Sequence, residues 1–142
     1  MNTQSEKQKE EMLSHLRENM EKVKRHYAAA PANFLQAWKE AVIKIGTGYF
    51  QTQRGYTMPI EAAAATDKWQ LIPNIDAMEN RLGLCSVGEG VFMAAVLSFY
   101  NSEISENFMH HYQMFGIGDV ANRLDLDEAD IISRLMLNHT GW

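Results

Sequence analysis

The run Val91-Phe92-Met93-Ala94-Ala95-Val96-Leu97-Ser98-Phe99-Tyr100 decides how this chain folds. It carries no charge, and as a helix it would be apolar on every side rather than along one stripe. Ser86, with Glu89 three residues on, writes a capping-box pattern just ahead of it. A helix of this kind has to be the buried centre of a bundle. The apolar stretch from Gly90 to Tyr100 is about half the length that crosses a bilayer, which needs roughly 20 residues. The run therefore reads as core, and no membrane span is expected.

The other segments read as what surrounds that centre. From about Thr3 to Ala30, Leu13, Leu16, Met20, Val23 and Tyr27 recur at steps of 3, 4, 3 and 4. That is the narrow a/d seam of a helix that pairs with another helix. The rest of the segment is charged, and Glu18 and Lys22 form a supporting i,i+4 pair. Its first ten or so residues have almost nothing to bury and are expected to fray. Pro31 is expected to end this helix, because a residue before proline avoids the helical region. Asn33 with Gln36 then predicts a new start, for a second helix to about Ile45 with Phe34, Trp38, Val42 and Ile45 on one face and Gly46 beyond its end.

From Thr47 to Met58 the helical period is lost, which predicts a long aromatic loop or a short hairpin. Pro59 is expected to open an alanine-rich helix from Ile60 to about Thr66. Another short helix should follow Pro73, with Ile75, Met78 and Leu82 on one side and Gly83 at its close. After the central run, Ser102 or Ser105 is the expected cap of a helix carrying Ile104, Phe108, Tyr112 and Phe115. Two short helices, at about 118–124 and 127–138, end the chain, with Asp127 as the expected cap of the second. The fold class is all-α: an irregular bundle of about six to eight helices around a central apolar helix at about 87–100. One domain is expected over residues 1–142.

Net charge is −5, and its placement matters more than its size. Residues 101–142 hold only Arg123 and Arg134 against Glu103, Glu106, Asp119, Asp125, Asp127, Glu128 and Asp130. The first hundred residues are balanced. An acidic face repels phosphate backbones and favours a basic partner. Cys85 is the single cysteine, so no intrachain disulfide forms, and a lone thiol suits a reducing, cytoplasmic setting. Cys85 precedes the helix start at Ser86, where a thiol can become reactive, but a small buried hydrophobe is the preferred reading.

Three constellations are candidates for function. The seam of Leu13, Leu16, Met20, Val23 and Tyr27 is a helix-pairing interface, its competing reading being packing onto the central helix of the same chain. Tyr49, Arg54 and Tyr56 in the aromatic loop, with Glu106 and His110 one helical turn apart, are candidate ligand contacts. The C-terminal helix pair partly fits a helix-turn-helix, with Val120, Ala121, Leu124, Leu126 and Ile131 in its apolar positions and Arg134 and Asn138 where base-reading side chains belong. Against that, its turn holds Asp125 where glycine is usual, and its first turn is acidic at Asp127, Glu128 and Asp130. No carboxylate–histidine pattern of a di-iron or zinc site, no globin-like haem pocket, no nucleophile motif and no phosphate-binding loop appears, so no cofactor or metal is implied. The function expected is a non-catalytic protein–protein interaction or accessory module, as a homodimer. The alternatives are a small nucleic-acid-binding regulator and a small-ligand-binding helical protein.

Overall fold

The computed structural model describes residues 3–142, and the fold is all-α. Helix α1 spans Thr3–Ile45, which at 1.5 Å per residue is about 64 Å. A small antiparallel pair follows, β1 (Phe50–Gln51) against β2 (Ile72–Pro73), with Phe50 opposite Pro73 and Gln51 opposite Ile72. Then come α2 (Ile75–Arg81), α3 (Val87–Tyr100), α4 (Ser102–His111), α5 (Ile117–Arg123) and α6 (Leu126–Asn138).

Helix α3 is the expected centre. Every residue from Gly90 to Leu97 is buried, so its neighbours cover all sides of it. Ser86 caps it by accepting the Glu89 N–H at 3.2 Å. The Glu89 carboxylate turns instead to Arg81, at 3.0 Å. Around α3 lie α4, α5, α6 and the C-terminal part of α1. Within α1, Ala30, Ala37 and Ala41 let the backbone approach closely, while Phe34, Trp38, Val42 and Ile45 fill the core. Trp38 donates its indole N–H to the Leu71 carbonyl at 2.7 Å, which satisfies a buried donor and fastens the residue just before β2 to α1.

The break expected at Pro31 is absent, and with it the helix start at Asn33: α1 runs through both. A proline inside a helix removes one backbone bond and costs about 3 kcal/mol. Here Pro31 is exposed, so water can reach the carbonyl left without its partner, and Ala30 just before it and Phe34, Ala37 and Trp38 after it are buried against the core. The alanine-rich helix expected after Pro59 is only a 3₁₀ turn, Ala62–Ala64. Ala62 and Ala65 are buried there while Ile60 is almost fully exposed, so the segment has no face long enough to support a helix.

Two caps differ from expectation. Asn101, not a serine, caps α4 by accepting the Ile104 N–H at 3.0 Å. Asp125, not Asp127, caps α6 in a reciprocal box: it accepts the Glu128 N–H at 2.7 Å while Glu128 accepts the Asp125 N–H at 3.0 Å. The cap two residues earlier sets Leu126 as the first helical residue.

Helix α6 lies antiparallel along α1. Lys44 pairs with Asp125 at 3.5 Å at one end, and Arg134 grips Glu40 through both terminal nitrogens, at 2.5 and 2.9 Å. At the other end His26 Nε2 bonds the Leu137 carbonyl at 2.9 Å. Arg81 closes the opposite corner by donating to the Ile45 carbonyl at 2.7 Å and stacking on Tyr49 at 4.6 Å.

Candidate partner-binding surface

Helix α1 divides in two by burial. From Ala30 onward one face is core, whereas every residue from Glu6 to Arg25 is exposed. The N-terminal part of α1 is therefore an arm that projects from the fold. The five seam residues all lie on it and are 51–69% exposed: Leu13, Leu16, Met20, Val23 and Tyr27. Met12, at 60%, widens the same strip. Packing of this seam onto the chain's own central helix does not occur.

The geometry of the arm explains the exposure. Continuity through Pro31 makes α1 one unbroken helix, and a helix cannot double back on the core it leaves. Scattered apolar residues on a surface are ordinary, but six at helical spacing along one face are not. A helix polar on its other faces and held by nothing on its apolar one is at the margin of stability in water.

The two candidate ligand groups are not brought together. Glu106 and His110 meet at 3.7 Å on α4, with both side chains more than two-thirds exposed, and this pair is an ordinary surface i,i+4 contact worth well under 1 kcal/mol. Tyr49 is taken up by Arg81, and Tyr56 stacks on Trp69 at 6.2 Å. Arg54 lies exposed in the turn between them. No hydrogen bond, ion pair or ring contact among the described residues joins Glu106 or His110 to Tyr49, Arg54 or Tyr56. No group of three or more His, Cys, Asp or Glu among the described residues is arranged to hold a metal ion.

Helices α5 and α6 form the expected C-terminal pair, with the turn at Leu124 and Asp125. The two side chains suited to reading bases are both occupied. Arg134 is bound to Glu40 and, at 2.8 Å, to Asp130. Asn138 is buried and donates to the Arg134 carbonyl at 2.9 Å. Hydrogen bonds from Arg134 hold the Glu40 carboxyl below the usual carboxylate range, so this anion is a fixed part of the surface.

Cys85 is half-buried, and its Sγ lies 3.2 Å from Tyr112 Oη. Tyr112 crosses over Gly90 with its ring against the bare backbone of α3. Burial first, and the Cys85 contact second, push the Tyr112 phenol well above its ordinary pKa. The pair is a packing contact with one hydrogen bond, and Gly90 is its one trace in the sequence.

No family model, curated protein or solved structure matches the chain. No helix among the described residues is long and apolar enough to cross a membrane.

Proposed function

We propose that this protein is a non-catalytic interaction module that associates with a second copy of itself through the arm of α1. The observation that carries this reading is the seam from Leu13 to Tyr27, exposed along a helix that leaves its own fold. Five side chains about half exposed each stand to gain about 1 kcal/mol on burial. A partner helix supplies that burial at the spacing the seam already has. The aromatic loop and the Glu106–His110 pair lie apart, so these two candidate ligand groups do not combine into one site.

The nucleic-acid reading draws no comparable support. Its two candidate base-reading side chains are bound within the fold, and the surrounding surface is acidic.

The test is the molar mass in solution, by light scattering across a dilution series, of the wild-type chain and of Leu16→Glu/Met20→Glu. Both positions are exposed, so the substitutions leave the core intact. The wild type is expected to dissociate on dilution, and the double variant to need at least 100-fold higher concentration to assemble, since each 1.4 kcal/mol is tenfold. A wild type that is monomeric at every concentration overturns the proposal.

A further inference from the structure

The seam on the arm and the buried face of α1 point the same way. Counting 100° per residue, Leu13, Leu16, Met20, Val23 and Tyr27 centre within about 20° of the core residues between Ala30 and Ile45. One apolar stripe therefore runs along most of α1. The chain's own body covers it from Ala30 onward, and the five seam residues ahead of that point stay open.

This alignment decides how two arms can meet. Helices paired through a seam lie about 8–10 Å apart. In a parallel pair, residues 30–45 of each α1 would continue past Tyr27 along the stripe of the other. That space is filled by the body, which packs there on Phe34, Trp38 and Val42. Parallel arms thus drive the two bodies into each other. In an antiparallel pair each body lies beyond the N-terminal end of the other arm. Layered packing of the apolar positions then sets Leu13 opposite Val23 of the second copy and Leu16 opposite its Met20, and the reverse, as a twofold axis requires. Lys9 of each arm faces Tyr27 of the other, where its stem covers the ring. Only about the first turn of each arm reaches the level of Ala30. There α1 borders a cleft of about 470 Å³, with Pro31, Leu35, Thr140 and Gly141 in its walls.

Charge selects the same arrangement. One edge of the seam carries Glu10, Arg17 and Lys24 at steps of seven, with Glu6 and Glu21 beside them. The other edge carries Met12, Asn19 and His26. No ion pair among the described residues engages Glu10, Arg17 or Lys24. Parallel arms would set the charged edge against the other one and pair nothing. Antiparallel arms bring like edges together, so that Glu10 meets Lys24 of the second copy and Lys24 meets its Glu10. The two Arg17 side chains fall near the axis, each with Glu21 one turn along its own helix to offset it. An edge that is acidic at one end and basic at the other complements itself when reversed, which selects a second copy as the occupant.

From this we infer that the exposed seam is covered by the arm of a second copy laid antiparallel, with Glu10 and Lys24 paired across the twofold axis. This inference rests on the proposed self-association and adds its orientation and the residues that set it.

Disulfide formation between full-length chains tests the orientation. In a Cys85→Ser background, Leu13→Cys and Val23→Cys are oxidised in a glutathione buffer, each alone and both mixed. Antiparallel arms place Leu13 opposite Val23 of the second copy but about 15 Å from its Leu13, and a disulfide spans less than about 7 Å between Cα atoms. The mixture is expected to give a linked heterodimer, identified by mass, and each variant alone about 10-fold less linked dimer. Charge reversal, read by light scattering, tests the pairing. Glu10→Lys and Lys24→Glu should each weaken association about 5-fold or more, and the double variant should return to within about 3-fold of wild type. Abundant linked dimer from a single variant, no linked heterodimer in the mixture, or a double variant no better than the singles overturns the antiparallel arrangement and leaves self-association standing. A wild type that is monomeric at every concentration overturns both.

Discussion

Gly90→Ala is the substitution whose outcome the structure constrains most tightly. A Cβ at Gly90 would sit 2.1 Å from Cζ of Tyr112, 2.3 Å from Cε1 and 2.4 Å from Oη. Carbon atoms in contact are about 3.5–4.0 Å apart, so the ring must retreat by roughly 1.5 Å. Tyr112 is buried at the rim of the core and bonded to Cys85, so there is little room for that retreat. Overpacking of this kind costs about 1–3 kcal/mol, and losing the Cys85 contact adds up to about 1 kcal/mol. Replacing glycine by alanine within a helix returns about 1 kcal/mol. The expected net loss is about 2 kcal/mol, a drop in Tm of about 6–10 °C for a domain of this size. Tyr112→Leu removes the three atoms that clash while keeping an apolar side chain. In that background Gly90→Ala should be neutral or stabilising by up to about 1 kcal/mol. Urea denaturation of the wild type, both single variants and the double variant yields the coupling, expected at about 2 kcal/mol or more. A neutral Gly90→Ala in the wild-type background, or an equal loss in the Tyr112→Leu background, would refute the reasoning.

Three further outcomes follow from named contacts. Arg81→Met gives up a charged hydrogen bond to the Ile45 carbonyl at the end of α1, the stack on Tyr49 and the Glu89 pair, and should lower stability by about 1–3 kcal/mol in urea titration. Glu40 has a folded-state pKa below its unfolded value, so its contribution is present above the ordinary carboxylate pKa and is lost as pH falls through the folded one. The stability difference between wild type and Glu40→Gln should therefore shrink as acid is added below about pH 4.5, by about 1 kcal/mol or less because the pair is partly solvated. An unchanged difference down to pH 2.5 would contradict this. Pro31→Ala restores the missing backbone bond in an exposed part of α1, so amide exchange in residues 24–32 should slow by about 10-fold or more while helix content stays constant.

Much of this fold was legible because local signals and burial agreed. The run from Val91 to Tyr100 is apolar on all sides, and from Val91 to Leu97 it is buried on all sides. Asn101 and Asp125 are the caps although Ser102, Ser105 and Asp127 lie within a few residues and share their chemistry. Which of several oxygen-bearing residues caps a helix depends on where packing fixes the first turn. At Pro31, a local rule lost to burial: Ala30, Phe34, Ala37 and Trp38 hold α1 in register across the proline. The alanines after Pro59 failed the other way, with good local propensity but no face to bury. In the candidate site, the seam was readable as a seam, but its exposure was not, since the same spacing serves packing within a chain or between chains. One further surface was unreadable for a different reason. An apolar groove between α3, α4, α5 and α6 is lined by Met109, Val120 and Ile132 among others, residues of separate helices that only the fold brings together.

The central claim is that the arm of α1 completes itself on a second copy of the chain. Native mass spectrometry of the untagged full-length protein tests it most directly, because it reports subunit number and retained ligand together. The account predicts a species of about 32 kDa, twice the 16.2 kDa chain, with no added mass. A 16.2 kDa monomer under the same conditions would contradict it, and so would a monomer carrying a bound small molecule.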